Sequence, residues 1–545
     1  MRTPPVTQQR LIALVGFALF VLPMLRVGRI NIPIFWDDIG VVFVYALNLI
    51  ETGAIFYNVP ADRIDGFTSM LDVLFVVPLA LLDPDNLFRL NYYAKALVTS
   101  LVPVALFAAL LRLHTPALLA AAAALALAMS DVLAYGFGML LEAPVYALLL
   151  VGFLVNLCLD ARRNAWLATL FGCLLCITRP EALALVTAGV GARLIFRAGL
   201  QPLAATLATG AGILTFIVAW LSWRIAYFGF WAPNTYYAKL GGTRSEEIMQ
   251  GLAFVGGYFS RAADTGLYIA LVLLTIALVP LWLRQRRHPE SVPNLNTFRI
   301  SNFAICTAVA GTMLAVRIAT GGDSYTISSR LLIDFAVPAA MATGLGLAAA
   351  SFMTLQRVAL AAVAFAVLGN GFVVLGSLPG NITGFMRTER ILDRQLDCER
   401  DAIREAFARY PGARLAHTDF QRAKYFVPQM EVIDLSGLNN RDIAHATTGE
   451  VNPYGKHDLN YALREQAEIL KLGTGVMEFR VITNEDWLNS LREDREVARD
   501  FRNARPFLLA NAAELQRDYE PVAIETACSG SYLNLLVRRD AERAD

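Results

Sequence analysis

The sequence predicts an all-α polytopic membrane domain of about eleven transmembrane helices over residues 1–376, followed by a soluble extracytoplasmic α/β domain over 377–545. Three observations lead there. Of the 545 residues, 56% are hydrophobic, where soluble proteins have about 45–50%. Charge is divided unevenly: 51 of the 169 residues from Ser377 to Asp545 are charged, against 42 of the first 376. The first part is also broken into a series of uncharged runs, as lipid-embedded helices require. Such a chain is not a soluble enzyme, a disordered scaffold or a porin-type barrel, whose strands alternate rather than run apolar. The net charge of +1 gives no reason to expect a nucleic-acid partner.

Arg2 and Arg10 precede an uncharged run from Leu11 to Leu25. No small-residue cleavage site follows, so this run reads as a retained first helix rather than a signal peptide. Ten further runs lie near 94–111, 115–130, 143–159, 164–178, 182–196, 203–223, 265–283, 302–316, 331–351 and 356–376. Those shorter than the ~20 residues of a full crossing need flanking residues to complete them. With the N-terminus in the cytoplasm, the inner loops hold Arg112 with His114, Arg162 with Arg163, Arg193 with Arg197, and RQRRH at 284–288. That is the positive-inside pattern, and its parity places the C-terminal domain outside an inner (plasma) membrane. The first outer loop then spans 28–91. Its apolar segment 69–82 fits the parity only as an interfacial or re-entrant stretch.

In the C-terminal domain, ARLAHTD (413–419) and MEVIDLSG (430–437) read as strands either side of a short helix. VAIETA and YLNLLVRR bracket a CSGS turn as a hairpin would. Cys158, Cys173, Cys176 and Cys306 sit inside apolar runs, whereas Cys398 and Cys528 fall in the part assigned to an oxidising compartment. A disulfide between these two is expected, with two free thiols as the alternative.

The outer loops collect the unusual residues: WDDIG (36–40), the stretch from Asp131 to Glu142, TRPEA (178–182), PNTYYAKLG (233–241) and GGDSYTISSR (321–330). Any one of these groups would serve as an interfacial anchor, but five loops on one face point to a site. Asp37, Val41, Tyr45 and Asn48 fall at near-helical spacing, a polar stripe leading from the acid pair Asp37 and Asp38. One of the two acids suits a helix N-cap; either suits a general base for a hydroxyl.

Here a resemblance becomes specific. WDDIGVVFVYALNLIETGAIFYN (36–58) with RIDGFTSML (63–71) resembles the first outer loop of polytopic C-type glycosyltransferases, most of all the arabinofuranosyltransferases that use decaprenyl-phosphate-linked arabinofuranose. GMLLEAPVYALLL (138–150), TRPEA, PNTYYAKLG, GGDSYTISSRLL (321–332) and VIDLSGLNNRDIAH (432–445) are similar in the same order. Val44 departs from a usual Arg, and Asp65 from a usual Glu. The resemblance implies the C-type glycosyltransferase fold and a polyprenyl-phosphate sugar donor, with D-arabinofuranose as the sugar. It also implies a cell-envelope glycan or glycoprotein acceptor, among membrane lipids.

A lipid phosphate-linked sugar carries its own leaving group, so the enzyme needs cations for the departing phosphate and a base for the acceptor. Arg179, Lys239 and Arg330 are the phosphate candidates, with a headgroup anchor as the alternative for Arg330. Asp37 or Asp38 is the base. Glu142, Glu181 and Asp323 suit sugar hydroxyls, and Tyr45, Asn48, Asn234, Tyr236 and Tyr237 complete the sugar or acceptor site. The alternative for Glu181 is a salt bridge to Arg179, and for the two tyrosines a place in the aromatic belt. No cofactor is required beyond a possible divalent cation, for which Asp37, Asp38 and Glu142 are the candidate ligands. The rival readings are a transporter or flippase of a lipid-linked sugar, or the same chemistry with another sugar such as mannose.

Overall fold

The computed structural model describes residues 6–30, 37–58, 63–196, 203–239, 244–259, 262–287, 294–321, 329–350, 354–376, 378–418, 421–446, 450–452, 455–471, 505–526, 528 and 532–543. In chain order it begins with helices α1 (Val6–Ile30), α2 (Asp37–Thr52), α3 (Met70–Leu82), α4 (Leu87–Arg112), α5 (Ala117–Ala128) and α6 (Asp131–Gly138). Next come α7 (Ala143–Cys158), α8 (Arg162–Thr178), α9 (Ala182–Phe196), α10 (Leu203–Phe228), α11 (Asn234–Lys239) and α12 (Arg244–Phe259). α13 (Ala262–Arg287), α14 (Asn294–Ala319), α15 (Ile333–Ala349), α16 (Thr354–Leu375) and α17 (Leu378–Arg409) complete the long helices.

Each of the eleven apolar runs coincides with a helix, because an apolar segment in lipid must satisfy its own backbone polar groups. Among the described residues six helices are long and apolar enough to cross a membrane: Gln9–Arg29, Leu87–Arg112, Leu203–Phe228, Gly266–Arg284, Asn296–Ala319 and Arg330–Ala349. The bent pair α5 and α6 makes a seventh if it is one span. Ser130 causes that 45° break: its hydroxyl accepts the Leu133 N–H and starts α6 as a new helix. With 16 and 15 residues, α7 and α9 are apolar but shorter than a full crossing. The segment expected at 69–82 is α3, at 13 residues also too short to span.

The chain forms two compact units, and neither is continuous in sequence. The first comprises Met1–Ile34, Asn91–Ser222 and Thr243–Thr388. Its central helix is α15, buried along its whole length and packed against α14, α5, α13 and α7. Small residues allow this. A Cβ on Gly344 would lie 2.8 Å from Leu110, and one on Gly346 2.9 Å from Phe303, so neighbouring side chains occupy the space a larger residue would need.

The second unit comprises Phe35–Leu90, Trp223–Gly242 and Glu389–Asp545. Its strands are β1 (Leu415–His417), β2 (Val432–Asp434), β3 (Glu450–Asn452), β4 (Gly455–His457), β5 (Ile469–Lys471), β6 (Tyr519–Glu525) and β7 (Tyr532–Arg538). Five of them form a sheet of order β2-β1-β5-β7-β6, in which β1 runs parallel to β2 and β5, and β7 antiparallel to β5 and β6. β1 and β2 flank the short helix Ala423–Phe426. β3 and β4 pair separately. Apolar side chains of the main sheet, among them Ala416, Ile433, Leu470 and Tyr519, close on Leu508 and Leu515. Cys398 in α17 and Cys528 between β6 and β7 form a disulfide, with their Cα atoms 5.6 Å apart.

Candidate functional site

Within the first unit, helix termini bring five ionisable groups together. α8 stops at Thr178 because Arg179 precedes Pro180 and is held extended, at φ −147° and ψ 137°. Glu181 follows at the start of α9, and Glu142 occupies the N-cap of α7. Arg317 lies in the last turn of α14 and Asp334 in the first turn of α15, the ends whose dipoles favour those charges.

The Arg179 guanidinium donates from Nη1 to Glu142 Oε1 at 2.6 Å and from Nη2 to Glu181 Oε1 at 3.3 Å. Arg317 donates from Nη1 to the same Glu181 oxygen at 2.7 Å and from Nη2 to Asp334 Oδ2 at 2.5 Å. One carboxylate oxygen therefore joins two guanidiniums. Arg317 and Asp334 are 2% and 0% exposed, while the Glu181 side chain retains 23%, so the network opens at Glu181. Burial pushes the Glu181 carboxyl up, but the two neighbouring guanidiniums outweigh it and hold the group below the usual carboxylate range. Glu181 is thus both salt-bridged to Arg179 and partly open.

The second unit holds most of the remaining predicted residues. Asp38 is half-buried in α2; the side chain of Asp37 lies outside the described residues, as does Asp323. Tyr45 is fully buried: its hydroxyl donates to Ile64 O at 2.6 Å and accepts from Gly66 N–H at 2.9 Å, with Asn439 Oδ1 3.1 Å away. Asn48 donates from Nδ2 to Phe56 O and Tyr57 O. The Asn234 Nδ2 donates to Gly437 O and Leu438 O, at 2.8 and 2.9 Å, and its N–H to Asp65 Oδ1 at 3.1 Å. These three side chains fasten loops to one another. Asp65 also forms a buried ion pair with Arg224. Around α11, Trp231, Tyr236 and Lys239 are exposed, and Tyr237 packs on His445 at 4.3 Å between ring centroids. Arg330 is half-buried in the first unit, in the 3-10 turn Ser329–Leu332.

No protein-family model and no curated protein sequence matches this chain. Solved structures do, among them two of one protein. One is ArnT from Cupriavidus metallidurans bound to undecaprenyl phosphate, 13% identical, covering 99% of this chain and 100% of that one with a TM-score of 0.55. The other is the same protein in the apo state, 14% identical, with 96% and 98% covered and a TM-score of 0.53. The likeness is one of fold. It extends over essentially the whole chain, so the ArnT fold includes both units.

Among the described residues no group of three or more His, Cys, Asp and Glu is arranged to hold a metal ion, and the side chain of Asp37, one of the three acids named for a cation, lies outside them. Arg317, Asp334 and Arg224 were not singled out from the sequence. A signal was present for Asp334, an acid inside an apolar run, and for Arg317 at the edge of another. Their pairing was not readable, because Arg317 and Glu181 are 136 positions apart.

Proposed function

We propose that this protein is an integral membrane glycosyltransferase. It transfers a sugar, D-arabinofuranose, from a polyprenyl-phosphate donor to a cell-envelope glycan or glycoprotein. The observation that carries this reading is the ArnT fold across 99% of the chain, in a neighbour whose structure contains undecaprenyl phosphate. The choice of pentose follows from the resemblance of the outer-loop motifs. About eleven helices, the shorter ones completed by flanking residues, cross the inner membrane, with the C-terminal domain extracytoplasmic, as the Lys/Arg pattern of the loops supports.

In the reaction, the acceptor hydroxyl attacks the anomeric carbon as the bond from that carbon to the phosphate oxygen breaks. The electron pair leaves with polyprenyl phosphate, and the hydroxyl proton passes to Asp37 or Asp38. Arg179, Lys239 and Arg330 carry positive charge for the departing phosphate. Glu142, Glu181 and Asp323 supply acceptor oxygens for sugar hydroxyls.

The test is direct. Purified full-length protein is incubated with decaprenyl-phosphate-arabinofuranose and candidate envelope glycans, and products are read by mass spectrometry. A glycosylated acceptor is expected. Transfer from decaprenyl-phosphate-mannose alone would keep the chemistry and change the sugar. Movement of intact donor across a liposome bilayer without transfer would replace the enzyme with a flippase.

A further inference from the structure

The buried network in the first unit contains more polar capacity than its ion pairs use. Among the described residues, no hydrogen bond is made by Nε of Arg179, Nε of Arg317, the hydroxyl of Tyr146, Oε2 of Glu181 or Oδ1 of Asp334. Tyr146 is 0% exposed, on the first turn of α7 one helical turn after Glu142. The Arg179 guanidinium lies 6.0 Å from its ring centre, and its hydroxyl is within electrostatic reach of Arg317, Glu181 and Asp334. Five unused polar atoms in one buried cluster are unusual, since buried polar groups are nearly always hydrogen-bonded. They are also of two kinds: three donors, carried by two guanidiniums and a phenol, and two carboxylate acceptors.

We infer that Tyr146, Arg317 and Asp334 complete, with Arg179 and Glu181, a binding site for the sugar-phosphate head of the lipid donor. This rests on the glycosyltransferase reading and extends it to three residues that the sequence motifs did not assign. The donor groups match the chemistry of a phosphodiester, whose oxygens only accept: Arg179 Nε–H, Arg317 Nε–H and the Tyr146 O–H each have one hydrogen bond to give. The acceptor groups match sugar hydroxyls, which donate to Glu181 Oε2 and Asp334 Oδ1. Glu142, Glu181 and Asp334 hold the guanidiniums by their Nη atoms, so each Nε–H keeps a set direction before the ligand arrives. The open edge at Glu181 is the way in. Buried water would satisfy the same atoms, and the experiment separates the two.

Two conservative variants of the full-length protein serve. Tyr146→Phe removes one hydroxyl without changing volume. Arg317→Lys retains the charge beside Asp334 but has no counterpart of the Nε–H. Binding is measured in detergent with decaprenyl phosphate, decaprenol and phosphatidylglycerol as separate probes, alongside thermal unfolding without lipid. Wild-type protein is expected to prefer decaprenyl phosphate over decaprenol. Each variant should lose roughly tenfold of that preference, one hydrogen bond to a charged ligand, while Tyr146→Phe unfolds at or above the wild-type temperature. Equal binding by wild type and both variants would make the cluster a structural, water-filled network and end the inference with the enzyme reading intact. An equal dependence of phosphatidylglycerol binding on Tyr146 would assign the site to a resident phospholipid and overturn it. Failure of wild-type protein to distinguish decaprenyl phosphate from decaprenol would end both readings.

Discussion

Asp38 lies half-buried in the first turn of α2, beside Asp37 at the start of that helix. If one of them takes the acceptor proton, Asp37→Asn or Asp38→Asn should lower turnover at least ~100-fold, the usual contribution of a positioned base, with thermal stability little changed. Near-normal transfer by both variants would remove the pair from the mechanism. Asp65 allows a different test. Burial pushes its carboxyl up to about 6 from 3.8, although Arg224 and the Asn234 N–H pull the other way. An acid raised in the folded state holds its proton more tightly there. Its contribution to stability is full below about pH 4 and is lost as pH rises through about 6. Thermal unfolding of the wild type should therefore show a downward component across that window, and Asp65→Asn should lack it. An unchanged pH profile in the variant would refute the assignment. At this scale the sequence was half legible. Asp65 stands in a motif that drew notice, whereas its partner Arg224 is 159 positions away and nothing local connects them.

Elements were the most legible level, and the reason is physical. A run without charge in lipid has helix as its solution, so composition alone located α1, α4, α5, α7–α10 and α13–α16. Motif-bearing loops were harder, because their structure depends on distant partners. α6 was read as loop between Asp131 and Glu142, yet Ser130 caps a helix there and Asp131 pairs with Arg26, 105 residues earlier. The loop around Gly66 shows how tight such meetings are. A Cβ at this position would come within 1.8 Å of Asn439 Oδ1 and 2.9 Å of Leu438 O. Gly66→Ala should therefore cost about 1–3 kcal/mol through forced displacement, read as a lower unfolding temperature and faster proteolysis within 35–90. Wild-type stability in this variant would mean that the two loops are not packed as described.

For the whole molecule, the expected topology predicts that single cysteines in 233–241 and 321–330 are labelled from outside and those in 284–288 only from inside. Outside labelling of 284–288 would invert the assignment of faces. The Cys398–Cys528 disulfide closes a separation of 130 residues. In the chain-entropy model a loop of that size restrains the unfolded chain by about 4–5 kcal/mol. Reductant, or paired replacement by Ala, should then lower the unfolding temperature. Thiol alkylation and peptide mapping should show both cysteines blocked until reduction. The change in charge density near residue 377 falls within the first unit, whose last segment runs to Thr388. The second unit borrows Phe35–Leu90 and Trp223–Gly242 through contacts such as Tyr45 with Asn439, which no local pattern announces. This borrowing sets a timetable for biosynthesis. Phe35–Leu90 leaves the ribosome first and Glu389–Asp545 last, roughly 300 residues later, an interval on the order of 15–60 s at ordinary elongation rates. Throughout it, Tyr45 and Gly66 wait without Asn439. A ribosome that stalls near the end of the message would thus leave unfinished a region translated at its beginning, and late-truncated chains should reach quality-control proteases with Phe35–Leu90 exposed.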